Sequence, residues 1–230
     1  MPLNKVGRGF FSFHVGLALA LEIIALALDR SKISVYGSFV ASLIILSILF
    51  AVRKLRWTRT LLGVTAVLGA GALGVDAMAS GAWTVKLATA LAVVSSALVL
   101  GSILVTMNLG HWYLVIKGLP FELLGVANRT FVRALLFRIF CIAVGAGLTA
   151  HSWKLLFAGS TGPLWDTTLF LTVRALFGLA APLLLSWMVN ECVKIKSNQS
   201  ATGILYVSLV FVLIGEESGL YFLVERGVPL

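Results

Sequence analysis

The stretch LATALAVVSSALVLGSILVTMNLGHWYLVI, Leu87 to Ile116, decides the fold class. It carries no charged side chain over about 30 residues, whereas a helix needs only roughly 20 to cross a hydrocarbon core about 30 Å thick. The apolar–polar alternation of a membrane β-strand is absent. An α-helix, which satisfies its own N–H and C=O groups, is therefore the expected conformation in lipid.

Outward from this stretch, six further windows bounded by charged or turn-forming residues read the same way: roughly 10–28, 34–52, 60–79, 131–151, 167–190 and 201–224. Composition agrees, with 60% apolar residues, 12% charged and a mean hydropathy of +1.03, outside the range of soluble domains. The expectation is an all-α integral membrane bundle of about seven transmembrane helices, forming a single domain over residues 1–230. The first 28 residues read as a span rather than a cleavable leader, because Glu22 interrupts their apolar core.

The net charge of +9 would point to nucleic acid in a soluble chain; here the basic residues flank spans, so topology accounts for them and no nucleic-acid partner is expected. With the N-terminus inside, one face receives Lys5, Arg8, Arg53, Lys54, Arg56, Arg59, Lys117, Arg129, Arg133, Arg138, Lys194 and Lys196. The other receives Arg30, Lys32, Lys86, Lys154 and Arg226, leaving Arg174 within a span. The bias gives N-in, C-out. Gly118 to Thr130, GLPFELLGVANRT, reads as the longest inside loop, and Gly159 to Pro163, GSTGP, as the turn-rich part of an outside loop. Cys141 and Cys192 have no metal-site or disulfide spacing.

The segment GAGALG, residues 69–74, matches a dinucleotide fingerprint letter for letter but lacks the preceding strand and downstream acid that the chemistry needs. Gly69, Gly71 and Gly74 read instead as helix-packing positions, as do Gly215 and Gly219. Arg174 costs about 2.5–3.5 kcal/mol at a helix centre even on a lenient scale, so it demands a partner. Counting at about 1.5 Å per residue sets Arg174 and Glu216 at a common depth near 12 Å, with Glu22 and Glu217 within a turn. A buried charge cluster of Glu22, Arg174, Glu216 and Glu217 follows as an expectation, serving as a clamp or as a proton or substrate path. Pro182 is expected to kink the sixth span beside it.

His14 and His111 lie near the inner ends of the first and fourth spans, and His151 at the opposite face. Two neutral imidazoles at one depth, with small residues nearby and Arg8, Lys117 and Arg138 near the rim for propionates, are what a b-type haem would require. Trp112 and Tyr113 beside His111 suit an interfacial aromatic belt or the walls of a quinone head-group pocket. Hydrolase and metalloprotease signatures are absent.

Two pieces, GSILVTMNLGHWYLV at Gly101 to Val115 and GEESGLYFLVERGVPL at Gly215 to Leu230, resemble small multi-span bacterial membrane proteins of respiratory gene neighbourhoods. The second is similar to the glutamate-bearing last helices of NrfD/DmsC-type quinone-interacting membrane subunits, although Ser218 to Tyr221 stand where such tails often carry an arginine. The resemblance implies a bacterial inner-membrane, multi-pass subunit of an electron-transfer complex, working with other membrane or extrinsic redox subunits. Its expected cofactors are b-type haem on His14 and His111, a quinone, or both, with Trp112 and Tyr113 alongside. The rival readings are a small-solute or ion transporter, which requires a cavity at the depth of Arg174, and a cofactor-free membrane scaffold.

Overall fold

The structure is a computed structural model that describes residues 8–51, 58–78, 82–116, 119–157 and 164–230. Lys5, Arg53, Lys54, Arg56, Lys117 and the Gly159–Pro163 turn lie outside the described residues, as do the side chains of Arg8 and Arg59. Among the described residues all regular structure is helical. Among the described residues six helices are long and apolar enough to cross a membrane, or seven if Arg30–Gly37 and Phe39–Leu49 count as one span, the pattern of a multi-pass membrane protein. The chain divides into two compact units, Met1–Ala79 and Ser80–Leu230.

In the first unit, α1 (Arg8–Leu28) and α3 (Thr58–Ala77) pack on α2 (Ile33–Ala51). Val15, Leu43 and Leu46 form its centre, with Phe11, Leu19, Phe39, Leu61 and Leu62 around them. A single 3-10 turn, Arg30–Lys32, joins α1 to α2. Asp29 caps it by accepting from the Ser31 N–H at 3.1 Å and the Ser31 hydroxyl at 2.5 Å, and those bonds hold its carboxyl below the usual carboxylate range. Lys32 and Tyr36 both donate to Asp76 of α3. Of the three glycines in GAGALG, only Gly69 sits at a close approach: a Cβ there would lie 2.9 Å from the Phe39 ring, while Gly71 and Gly74 face open space.

The second unit contains α4 (Trp83–Val115), α5 (Glu122–Leu148), the short α6 (Ala150–Phe157), α7 (Leu164–Ala175), α8 (Ala181–Lys194) and α9 (Asn198–Arg226). The long helices α4 and α9 are its most buried spans. Val99 and Ile103 of α4, Phe131 and Leu135 of α5, and Leu205, Val212 and Phe222 of α9 are almost wholly enclosed. Helix α5 begins nine residues before its expected start, so most of the expected Gly118–Thr130 loop is helix. Leu123, Leu124, Ala127 and Phe131 bury a helical stripe there, and Glu122 in the first turn complements the helix dipole. The Tyr113 hydroxyl donates to the Pro120 carbonyl and so ties the end of α4 to the approach of α5.

Helices α7 and α8 form one span interrupted by a five-residue π turn, Leu176–Ala180, immediately before Pro182. Proline has no N–H to donate into the preceding turn, and a π turn is the usual way a helix absorbs one extra residue. The widened turn carries Gly178 against Gly215 of α9 so closely that a Cβ on Gly215 would stand 2.1 Å from the Gly178 Cα. Helix α9 ends at Gly227, whose positive φ of 65° turns the chain back. Val228 and Leu230 then pack on Phe222, with Trp153, Phe170 and Tyr221 against them.

The glycine contact makes a paired prediction. Gly215→Ala overpacks a backbone crossing and should lower stability by at least about 1–3 kcal/mol. Gly203→Ala, on the same helix with nothing within 4 Å of a new Cβ, should be neutral or gain up to about 1 kcal/mol. Reversible unfolding of the two variants in mixed detergent checks the contrast.

Candidate functional site

Three ionisable side chains from three helices meet inside the second unit. Arg138 of α5 is 2% exposed, Arg174 of α7 3% and Glu216 of α9 7%. Each is roughly ten residues from the end of its helix on the side of the C-terminal tail, about 15 Å at about 1.5 Å per residue. Small residues make this junction possible, since Gly178 and Gly219 leave the space that the Arg174 guanidinium occupies.

Glu216 accepts from Arg174 Nη1 at 2.8 Å, Arg138 Nη2 at 3.0 Å, Arg138 Nε at 3.4 Å and Ser96 Oγ at 2.6 Å. Arg138 also donates to the Ala92 carbonyl at 2.6 Å, Ser95 Oγ at 2.9 Å and the Leu230 backbone oxygen at 2.6 Å. All five guanidinium N–H groups of Arg138 are thus engaged, and so are the approximately four lone-pair directions of the Glu216 carboxylate. In a low-dielectric interior this saturation is what makes a buried charge tolerable. Arg174 differs, because its Nε and Nη2 are buried without a hydrogen-bond partner among the described residues.

Beside the cluster lies a cavity of about 180 Å³, lined by Ala92, Val93, Ser96, Leu100, Arg138, Glu216, Glu217, Gly219, Leu220, Leu223 and Leu230. Its lining is mostly apolar, with Ser96, Arg138, Glu216 and Glu217 as the polar members. Arg138 and Glu216 have no hydrogen-bonding capacity left to offer, so the reactive group of the cavity is Glu217, which is exposed and makes no hydrogen bond or ion pair with another described residue. A carboxylate at this depth on a spanning helix faces a cavity, a path or a partner by default.

The expected charge cluster is therefore partly redrawn. Arg174 and Glu216 form an ion pair at 2.8 Å. Glu217 points away from it and lines the cavity, as adjacent residues on a helix must diverge by about 100°. Glu22 is half-buried on α1 of the first unit, and the hydrogen-bonded network is built entirely from second-unit residues. Arg138, assigned from sequence to the inner face and to haem propionates, is instead enclosed in mid-helix and bonded to Glu216. The available signal was its position seven residues inside the expected 131–151 span.

The aromatic and imidazole positions are spread out. His14, half-buried on α1, donates from Nδ1 to the Phe10 carbonyl at 2.7 Å. Because a carbonyl only accepts, Nδ1 carries the proton in that bond. His111, exposed on α4, has Nδ1 at 3.2 Å from the Tyr206 hydroxyl. Trp112 is half-buried beside it and Tyr113 is buried against Phe121. His14 and His111 belong to different units. His151 is exposed on α6. No group of three or more His, Cys, Asp or Glu capable of holding a metal ion occurs among the described residues.

Compared with known protein families, curated proteins and solved structures, the chain has no match in any of the three.

Removing one partner of a buried ion pair costs about 3–5 kcal/mol, chiefly through the charge left behind. Glu216→Gln leaves two enclosed guanidiniums uncompensated, whereas Arg174→Met leaves the Arg138–Glu216 pair intact. Glu216→Gln should therefore be the more destabilising of the two, by detergent unfolding and by yield of folded protein.

Proposed function

We propose that the chain is a multi-pass membrane subunit of a respiratory electron-transfer complex, oriented N-in and C-out in a bacterial inner membrane, which binds a quinol or quinone head group in the Glu217 cavity. The observation that carries this reading is the cavity itself: a small recess in a membrane-spanning unit, lined mostly by apolar side chains, to which Glu217 presents a carboxylate that bonds to no other described residue. An apolar chamber with one well-placed polar group is the usual form of a site for a lipid-soluble ring. A carboxylate accepts and does not donate, so it favours the reduced, hydroxyl-bearing quinol and is chemically able to take the proton that oxidation releases. The electrons would pass to a separate redox subunit. The likeness of Gly215 to Leu230 to quinone-interacting subunits supports the same assignment.

A second reading has its own support. Two arginines and one glutamate leave the buried cluster with an excess positive charge beside the cavity, which is what an intramembrane path for a small anion would use. Haem b on His14 and His111, expected from the sequence, is a companion to the quinol proposal.

Purified protein should bind a short-chain quinol analogue. Leu220→Trp, which fills the cavity from a position 51% exposed and so tolerant of size, should weaken that binding about tenfold or more, the scale of a lost apolar contact. Titration calorimetry that finds no quinol binding, or equal binding in Leu220→Trp, removes the quinol assignment; anion flux into proteoliposomes that the same variant stops would establish the rival.

A reduced-minus-oxidised absorbance spectrum tests the haem. Bands of b type that vanish in His111→Ala support ligation, and a colourless preparation ends it.

A further inference from the structure

A second cavity, of about 460 Å³, opens between α5 and α8 at the other end of the second unit. Asn128 and Ser186, each 2% exposed, are the most enclosed polar residues of its lining. The Asn128 Nδ2 donates to the Ser186 carbonyl at 2.8 Å, but its Oδ1 is buried with no hydrogen-bond partner. Arg129 and Arg133 also line it and are exposed. Trp187, 61% exposed, stands at the rim with Asn190.

We propose that this cavity binds the head group of an anionic phospholipid in which hydroxyls flank the phosphodiester, as in a glycerol-type head group. The level is right: Asn128 and Arg129 lie within two turns of the start of α5, and Trp187 and Asn190 within two turns of the end of α8. Helix α5 would be about 40 Å long at about 1.5 Å per residue, longer than a hydrocarbon core of about 30 Å, so its first turns belong in the head-group layer. Arg129 is bent toward that layer, its Nη1 lying 3.5 Å from a Cβ built on Gly125, a turn nearer the helix start. Exposed tryptophan at this depth is what a membrane interface selects.

The chemistry of the lining chooses the ligand. Two guanidiniums supply charge and paired donors for a phosphate, and basic pockets between spanning helices are established as anionic-lipid sites in other membrane proteins. Phosphate oxygens cannot satisfy Asn128 Oδ1, which needs a donor. A hydroxyl next to the phosphate does, so charge and hydroxyl must reside on one head group. A glycerol phosphodiester meets both demands with a net negative charge, whereas a choline head group has the phosphate but no donor and sets its own cation beside the guanidiniums.

Brominated lipids reconstituted with the full chain test this, because bromine quenches only nearby tryptophan and Trp187→Phe isolates the signal of the rim residue. Brominated phosphatidylglycerol at one-tenth of the lipid should quench Trp187 as if enriched about tenfold over brominated phosphatidylethanolamine, the scale expected for two basic groups. In Arg129→Gln/Arg133→Gln, both exposed positions, that enrichment should fall to about one while quenching by the ethanolamine lipid is unchanged, which also verifies folding. Soluble glycerol phosphate should not relieve the quenching. Equal quenching by the two lipids in the unmodified chain, enrichment that survives the double substitution, or relief by glycerol phosphate would each overturn the proposal, the last in favour of a soluble phosphate ester.

Discussion

Glu216 shares one carboxylate between two arginines inside an apolar bundle, and the arrangement of the second unit follows from the need to keep that group satisfied. An isolated charge moved from water into a medium of low dielectric loses far more solvation energy than any single contact returns. The chain answers with geometry: α5, α7 and α9 each deliver a charged side chain at one depth, α4 adds Ser95, Ser96 and the Ala92 carbonyl, and the C-terminal tail adds the Leu230 oxygen. A displacement of any one of these helices along its axis would separate donors from acceptors. The cluster is thus a registration device as much as a source of stability, and the backbone contact of Gly178 with Gly215 brings α9 close enough for Arg174 to reach it.

Saturation of the cluster also sorts clamp from ligand site. Arg138 and Glu216 spend all their hydrogen-bonding capacity on each other and on the surrounding helices, so they define the wall of the adjoining cavity without being able to grip what enters it. Glu217, one residue further along α9, has the opposite character, exposed and unpaired at nearly the same depth. Neighbouring glutamates on one helix therefore take on different work because helical rotation turns one into the bundle and the other into the chamber. The unpartnered Nε and Nη2 of Arg174 mark the one incomplete part of the clamp.

Much of this was legible in the amino-acid order. The apolar runs located the spans because lipid imposes a length that soluble proteins need not respect, and the rise per residue was enough to bring Arg174 level with Glu216. Helix α5 was harder, since ELLGVANRT mixes polar and small residues and reads as a loop until Leu123, Leu124, Ala127 and Phe131 are seen to share a buried stripe. Arg138 was misread for a physical reason: topology rules treat arginine as a flank marker, and only its partner on a distant helix reveals that it is enclosed. The π turn before Pro182 and the return of the tail to Arg138 depend on packing between elements far apart in the chain, so no local pattern announces them.

The most direct measurement is a double-mutant cycle between Arg138 and Glu216, each replaced by methionine singly and together, read by reversible unfolding in detergent. If the pair is enclosed and mutually compensating, Glu216→Met strands both guanidiniums, Arg138→Met leaves Glu216 to Arg174 alone, and the two losses are far from additive, with a coupling energy of about 2 kcal/mol or more. Losses that add to within about 0.5 kcal/mol would mean that the two groups do not depend on each other, and the buried cluster would no longer account for how the second unit is held.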